Sequence, residues 1–170
     1  MPALPTIILV LTATATALIA GLFYAWSCSV TSGLARLADT VYITFMQATN
    51  KAILNPVFFA SFMGTAILLP LSTFLHYDST ISHRFIFLLA ATLIYLTGAL
   101  GVTIFGNIPL NNALADFNLQ SASANAIAAQ RAKFERRWNK LNTIRTISST
   151  LSILLVIIAC LSSHKQGLTE

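Results

Sequence analysis

The sequence predicts an all-α membrane protein, a transmembrane four-helix bundle with a long cytoplasmic extension of helix four. It is 56% hydrophobic and 9% charged, whereas roughly 25% of the residues in a soluble domain are charged. Four apolar segments, at about residues 5–26, 52–75, 85–105 and 141–161, each approach the roughly 20 residues that cross a hydrocarbon core. Such segments form helices because lipid cannot hydrogen-bond to the backbone. We therefore treat residues 1–170 as a single integral membrane domain.

The first apolar segment, "PTIILVLTATATALIAGLFYAW", resembles a signal peptide only superficially. It has no positive residues before it, and it is longer than the roughly 7–15 apolar residues typical of a signal sequence. We expect a retained span.

The basic residues predict the orientation of the bundle. With four spans, both termini lie on one side of the membrane. Of the ten Lys and Arg residues, only Arg84 and Lys165 lie on that side. The others lie in the linkers 27–51 and 106–140 or at the start of the fourth span: Arg36, Lys51, Arg131, Lys133, Arg136, Arg137, Lys140 and Arg145. The positive-inside rule places these linkers in the cytoplasm and both termini outside, and we expect a bacterial inner (plasma) membrane.

The linkers themselves contain helix signals. Asp39 or Thr40 is a candidate N-cap for an interfacial helix, with apolar residues Val41, Phe45 and Ala48 at helical spacing. Asn107 shortly before Pro109 resembles a helix start. Residues 123–161 lack Gly and Pro and predict one long helix, whose first half projects beyond the membrane.

The sequence lacks the motifs that several classes of function require. The sequence has no nucleic-acid-binding motif, no CxxC, no GxGxxG and no P-loop. The three histidines, His76, His83 and His164, match no zinc spacing. Cys28 and Cys160 fall at opposite ends of the bundle, roughly 30 Å apart, too far for a disulfide. Gly98 and Gly101 are expected to serve close helix packing.

The stretch "RRWNKLNTIRT" carries the strongest functional signal. Trp138, Asn142 and Arg145 are spaced i, i+4 and i+7, so they share one helix face. An aromatic anchor and a snorkelling cation at the membrane interface would explain the tryptophan and the arginine. They would not explain an amide at the start of a span, which usually faces the bundle interior.

Other amides and aromatics are predicted at the same membrane depth. Asn55, Asn107, Asn111 and Asn112 lie near the cytoplasmic ends of spans two and three, and Tyr24 and Trp26 end span one. Each asparagine taken singly fits a cap or a turn. Together they indicate a pocket with aromatic walls, amide groups and one cation, suited to a flat aromatic molecule with a carbonyl or phenolate oxygen.

These residues resemble a known family of small four-span membrane proteins, the anthrone oxygenase-like family, long catalogued as a domain of unknown function. The resemblance is carried by "GLFYAWSCSVTSGLARL", "ILNPVFFASFMGTAILLPL", "GVTIFGNIPLNNAL" and "RWNKLNTIRT". The Asn-x-Pro-x-Asn element falls at Asn107, Pro109 and Asn111. The Trp-x3-Asn-x2-Arg element falls at Trp138, Asn142 and Arg145.

The resemblance implies oxygenation of a lipophilic aromatic ketone or phenol, with no metal and no cofactor. Asn142 and Arg145 would then be catalytic, with an amide donating to an oxyanion and the guanidinium supplying charge. The substrate-binding residues would be Trp26, Asn55, Asn107, Asn111 and Trp138. The available cytoplasmic carboxylates, Asp39, Asp116 and Glu135, fit caps or surface groups better than a general base.

Two other classes of function stay open at this stage. The same pocket suits a non-enzymatic ligand-binding or accessory subunit, and the basic helix at residues 130–140 could dock a partner or anionic lipid. Transport is less favoured because no ionisable residue lies mid-span. The expected partners are a lipophilic aromatic molecule and the bilayer, with no nucleic acid, and a homo-oligomer is left open.

Overall fold

The computed structural model describes residues 4–78 and 81–162, and within them every regular element is helical. His164 and Lys165 lie outside the described residues. The elements are α1 (Leu4–Leu34), α2 (Asp39–Ala52), α3 (Pro56–Leu75), α4 (His83–Ala115) and α5 (Ala124–Leu161). All but α2 are long and apolar enough to cross a membrane, as the sequence predicted.

Side-chain caps mark the beginnings of three helices: Asn55 caps α3, Ser82 caps α4 and Ser123 caps α5. Asn55 accepts a hydrogen bond from the backbone N–H of Phe58 at 3.0 Å, so α3 starts at Pro56 rather than at Ala52. Ser123 caps α5 in the same way. The 38 residues of α5 extend about 57 Å, which confirms the expected long helix and exceeds the thickness of a hydrocarbon core.

Helices α1 and α4 run past the predicted spans and contain π-helical turns. These turns are Trp26–Val30 in α1, and Tyr95–Gly101 and Thr103–Asn107 in α4. The predicted helix start at Pro109 is wrong, because Asn107 is helical (φ −71°, ψ −41°) and α4 continues to Ala115. A proline removes one backbone donor. The π turn just before Pro109 already departs from the regular hydrogen-bond pattern, so the helix passes the proline without ending.

The four long helices form an up-down-up-down bundle. Helices α1 and α4 each pack against both α3 and α5. Its core is apolar, with Ile19, Leu69, Leu88, Tyr95 and Val156 fully buried. The connections from α3 to α4 and from α4 to α5 are short, as is usual between antiparallel neighbours in a bundle, whereas α1 and α3 are joined through α2.

Hydroxyl groups tie the helices together inside the apolar core. Thr12 on α1 bonds Ser72 on α3 at 3.0 Å, and Thr73 on α3 bonds Thr92 on α4 at 2.9 Å. Ser152 on α5 donates to the Ala91 carbonyl at 3.1 Å. Interhelical bonds of this kind are a recurrent feature of helix association in lipid.

A second apolar core lies at the linker end, the end of the bundle that carries α2, the C-terminus of α4 and the first half of α5. Tyr42, Ile43 and Met46 of α2 pack with Leu114 and Phe134. The apolar row predicted for α2, Val41, Phe45 and Ala48, faces outward. Neither Asp39 nor Thr40 caps α2, because Ala38 occupies the N-cap position.

We predict that Gly98→Ala destabilises the bundle. A Cβ at Gly98 would collide with Ser148 Oγ and lie 2.6 Å from Ser148 Cβ, so rotating the hydroxyl cannot relieve the clash. We expect a loss of about 1–3 kcal/mol in the free energy of unfolding, measured by thermal or denaturant unfolding in detergent. Gly21→Ala is the matched control, since nothing lies within 4 Å of its Cβ. Equal stability of the two variants would contradict the close α4–α5 contact.

Candidate functional site

A cavity of about 700 Å³ lies at the linker end, and each of the five helices contributes to its wall. Leu22, Phe23 and Trp26 come from α1, and Phe58, Phe59 and Phe62 from α3. The polar residues of the wall come mainly from α2, α4 and α5. A volume of this size lies within the range of pockets that enclose small organic ligands.

The face predicted on α5 points into this cavity. Trp138, Asn142 and Arg145 are 5%, 1% and 7% exposed, and all three line the cavity. The i, i+4, i+7 spacing therefore places them on one buried face, as predicted. Arg145 does not snorkel toward the membrane surface, because its side chain is enclosed within the bundle.

A chain of hydrogen bonds holds the guanidinium of Arg145. Its Nη2 donates to Asn142 Oδ1 at 2.7 Å, and Asn142 Nδ2 donates to Ser27 Oγ at 2.8 Å. Ser27 also bonds Thr146 at 2.7 Å, and Thr146 Oγ1 donates to the Phe23 carbonyl at 3.0 Å. The chain links α5 to the π turn of α1 and orients the Asn142 amide toward the arginine.

Aromatic rings surround the guanidinium on two sides. Arg145 Cζ lies 4.4 Å from the centroid of the Phe23 ring and 5.3 Å from that of Trp138. The rings of Trp26 and Trp138 are 5.6 Å apart, and Trp138 Nε1 donates to Asn111 Oδ1 at 3.0 Å. Cation–π contacts offset part of the cost of burying the charge, and the rings form flat walls around it.

Unpaired polar atoms are concentrated in the cavity wall. Within residues 4–78 and 81–162, the buried side-chain nitrogens and oxygens without a hydrogen-bond partner are Trp26 Nε1, Asn50 Nδ2, Asn107 Nδ2, Asn107 Oδ1 and Arg145 Nε. Every one belongs to a residue that lines the cavity. Four of the five atoms are donors. Because buried polar groups are normally paired, the occurrence of all five in the wall of one cavity sets this part of the bundle apart from the rest of the described chain.

The charge of the lining is entirely positive. Lys51 and Arg145 are its two cations, and no Asp, Glu or His is among the residues that line it. Asp116 is exposed and lies outside the wall. His76 and His83 lie at the opposite end of the bundle, and no group of three or more metal-binding side chains occurs in the described part of the chain.

The other two candidate carboxylates are engaged elsewhere. Arg131 pairs with Asp39 and with Glu135, both at 2.9 Å, and donates to the Leu37 carbonyl at 2.6 Å. Its guanidinium also lies 4.6 Å from the ring centroid of Tyr42. Burial raises the pKa of Tyr42, and the Glu135 carboxylate adds to the increase, so the phenol stays protonated near neutral pH. This cluster joins α5 to α1 and α2 and supplies no base to the cavity.

The structure brings together most of the residues that the sequence singled out. Seven of them line the cavity: Trp26, Asn107, Asn111, Asn112, Trp138, Asn142 and Arg145. Asn55 does not line it and instead caps α3. Tyr24, proposed to close span one, is exposed on the outside of the bundle.

Sequence reasoning missed several polar residues of the site. Gln47, Asn50 and Lys51 of α2 line the cavity, and Ser27 anchors Asn142. The i, i+3, i+4 spacing of the three α2 residues was a usable signal for one shared face. The pattern of basic residues along the chain assigns Lys51 only to the charges that set the membrane orientation.

The fold is a bundle of helices that includes four long and apolar enough to cross a membrane, and its linker-end cavity has a wall that contains several unpaired hydrogen-bond donors. Residues 56–155, more than half of the chain, match the family model described as anthrone oxygenase. The chain therefore belongs to the anthrone oxygenase family. The matched residues include Asn107, Trp138, Asn142 and Arg145. No curated protein and no solved structure matches the chain.

We predict that Asn107→Leu leaves the protein at least as stable as the wild type. Asn107 is 1% exposed and its amide has no partner within the described residues, so its removal relieves an unpaired buried group. Asn111→Leu is the matched control, because it deprives Trp138 Nε1 of its acceptor and should cost about 1 kcal/mol. Thermal unfolding in detergent measures both. A marked loss of stability in Asn107→Leu would mean that the amide serves the fold.

Proposed function

We propose that this protein is a cofactor-independent oxygenase that acts on a lipophilic aromatic ketone or phenol. The observation that carries the proposal is that every unpaired buried donor of the described residues, Arg145 Nε among them, belongs to a side chain in the wall of one cavity that also contains aromatic rings. Membership of the anthrone oxygenase family supports this class of reaction. The protein's own role would be to bind the flat rings and stabilise negative charge on the substrate oxygen.

The proposed binding mode follows from the chemistry of the lining. Trp26 and Trp138 pack against each other with their ring centroids 5.6 Å apart, and together they would present one aromatic wall to a planar ring system. Arg145 and the amide of Asn107 would donate to its oxygen. Asn142 would act by holding Arg145 through their 2.7 Å hydrogen bond. A preorganised donor array in a site shielded from water is the usual means of stabilising an oxyanion.

The proposed reaction balances with O₂ as the only oxidant. An anthrone loses the proton from the CH₂ group opposite its carbonyl, leaving an anion whose charge lies largely on oxygen. This anion reduces O₂, and the two combine into a hydroperoxide at that carbon. Loss of water then gives the quinone, so one O₂ is consumed and one H₂O released for each CH₂ oxidised to C=O.

The proposed location is the cytoplasmic boundary of a bacterial inner membrane, with both termini outside. The basic residues of the linkers support this orientation. A lipophilic substrate would reach the cavity from the bilayer.

We predict that the purified protein accelerates O₂ consumption by emodin anthrone above the spontaneous rate, and that Arg145→Lys lowers this acceleration by about tenfold or more. An ammonium cannot reproduce the fixed fork of the guanidinium that bonds Asn142. An oxygen electrode follows the reaction. Arg137→Lys, an exposed arginine on the same helix, is the matched control and should retain wild-type rates.

The proposal fails if the well-folded wild type consumes no O₂ above the background of protein-free micelles. It also fails in its assignment of the site if Arg145→Lys and Arg137→Lys are equally active. Circular dichroism and gel filtration of each variant separate a lost activity from a lost fold.

A second candidate is a non-enzymatic ligand-binding or accessory subunit. The observation that favours it is the lack of any carboxylate or imidazole among the residues that line the cavity, since most proton-abstracting sites contain one. This second candidate predicts that the protein binds an unreactive quinone such as emodin tightly, which quenching of tryptophan fluorescence would measure. It also predicts that the protein causes no O₂ uptake from the anthrone.

A further inference from the structure

The residues that line the cavity supply hydrogen-bond donors and positive charge, which stabilise a bound anion, but they include no carboxylate or imidazole to act as a general base. The unpaired donors of the cavity wall are Trp26 Nε1, Asn50 Nδ2, Asn107 Nδ2 and Arg145 Nε. An oxygenase of the proposed kind requires an ionised substrate. The proton must therefore leave without the help of a side-chain carboxylate or imidazole in the cavity wall.

The titratable groups that face the cavity can be stated helix by helix. Arg145 comes from α5 and Lys51 from α2. The lining residues of α1, α3 and α4 include no Asp, Glu, His, Cys or Tyr. A ligand in the cavity consequently meets two cations and no anion.

We propose that the cavity binds its ligand as an oxyanion and that binding itself ionises an aromatic phenol or enol that is neutral in water. This inference rests on the proposed function and specifies its substrate class as weakly acidic planar phenols and enols. The O–H bond of the ligand breaks, its electron pair stays on the oxygen, and the proton passes to water at the cavity mouth. No oxidant or reductant takes part in this step.

We expect the cavity to bind the phenolate form of the ligand more tightly than the neutral phenol form. A neutral phenol can satisfy few of the unpaired donors, because its oxygen is a weak acceptor and its own O–H competes for acceptors. Asn107 Oδ1 is the single acceptor among the unpaired buried atoms of the described residues. A phenolate oxygen accepts several charge-assisted hydrogen bonds, and binding therefore favours ionisation.

Burial gives Arg145 the dominant part in this effect. It is 7% exposed and lies between the rings of Phe23 and Trp138, where a charge acts in a low dielectric. Lys51 lines the same cavity but is exposed to solvent, so water and salt screen it. Replacing Lys51 should change the ionisation of the ligand much less than replacing Arg145.

The test measures the ionisation of bound 2-naphthol, a planar phenol whose absorption spectrum distinguishes phenol from phenolate. The purified full-length protein in detergent is held in excess, and spectra are recorded from about pH 6.5 to pH 8.5. At pH 8.5 we expect the phenolate-to-phenol ratio of the bound ligand to be at least about tenfold higher than that of the same ligand in empty micelles, which corresponds to a shift of about one pKa unit. Its methyl ether, 2-methoxynaphthalene, should bind with an affinity that does not change with pH.

The variants separate this mechanism from a general effect of the micelle or the fold. Asn107→Leu removes an amide that has no partner within the described residues, so it should fold normally and lose much of the phenolate excess. Arg145→Gln should abolish the excess, whereas Lys51→Gln should retain most of it. The inference is overturned if wild-type protein leaves 2-naphthol neutral or unbound. It is also overturned if Lys51→Gln abolishes the phenolate while Arg145→Gln and Asn107→Leu retain it.

These results are independent of the oxygenase assay. Ionisation of 2-naphthol without O₂ uptake from emodin anthrone would retain the oxyanion site and refute the oxygenase. O₂ uptake without ionisation of 2-naphthol would retain the oxygenase and refute this inference.

Discussion

The structure depends on a buried guanidinium that no carboxylate in its cavity neutralises. Arg145 lies inside the bundle, and an isolated buried charge is costly unless other groups stabilise it. The amide of Asn142 and the faces of Phe23 and Trp138 supply this stabilisation. Because they come from α1 and α5, the arginine requires these two helices to meet at the linker end. Because no carboxylate lines the cavity, an anionic ligand could neutralise the charge of Arg145.

The cavity lies between the bundle core and the linker-end core, which are held together by different contacts. The bundle core is drawn together by hydroxyl bonds and by the contact of Gly98 with Ser148, while the linker-end core packs around Tyr42 and Met46. Between them, π turns lie in two of the walls, at Trp26–Val30 and Thr103–Asn107. Such turns occur frequently at functional sites. Here they carry Trp26 and Asn107, two of the residues whose polar atoms lack partners.

The sequence by itself determined every feature that depends on local periodicity and composition. Hydropathy identified the four long helices, since lipid leaves an apolar segment no other backbone arrangement. The lack of Gly and Pro after Ser123 predicted the uninterrupted α5. Helical spacing placed Trp138, Asn142 and Arg145 on one face, because side chains seven residues apart point the same way at 3.6 residues per turn.

Only the tertiary structure decided which of the candidate amides belong to the site. Asn55 and Asn107 both lie just before a proline, yet one caps α3 and the other is buried unpaired within α4. The long-range bond of Ser27 to Asn142 and the arrival of Lys51 at the cavity likewise follow from helix packing. Contacts between residues far apart in the chain depend on how whole helices dock, and no local pattern encodes them.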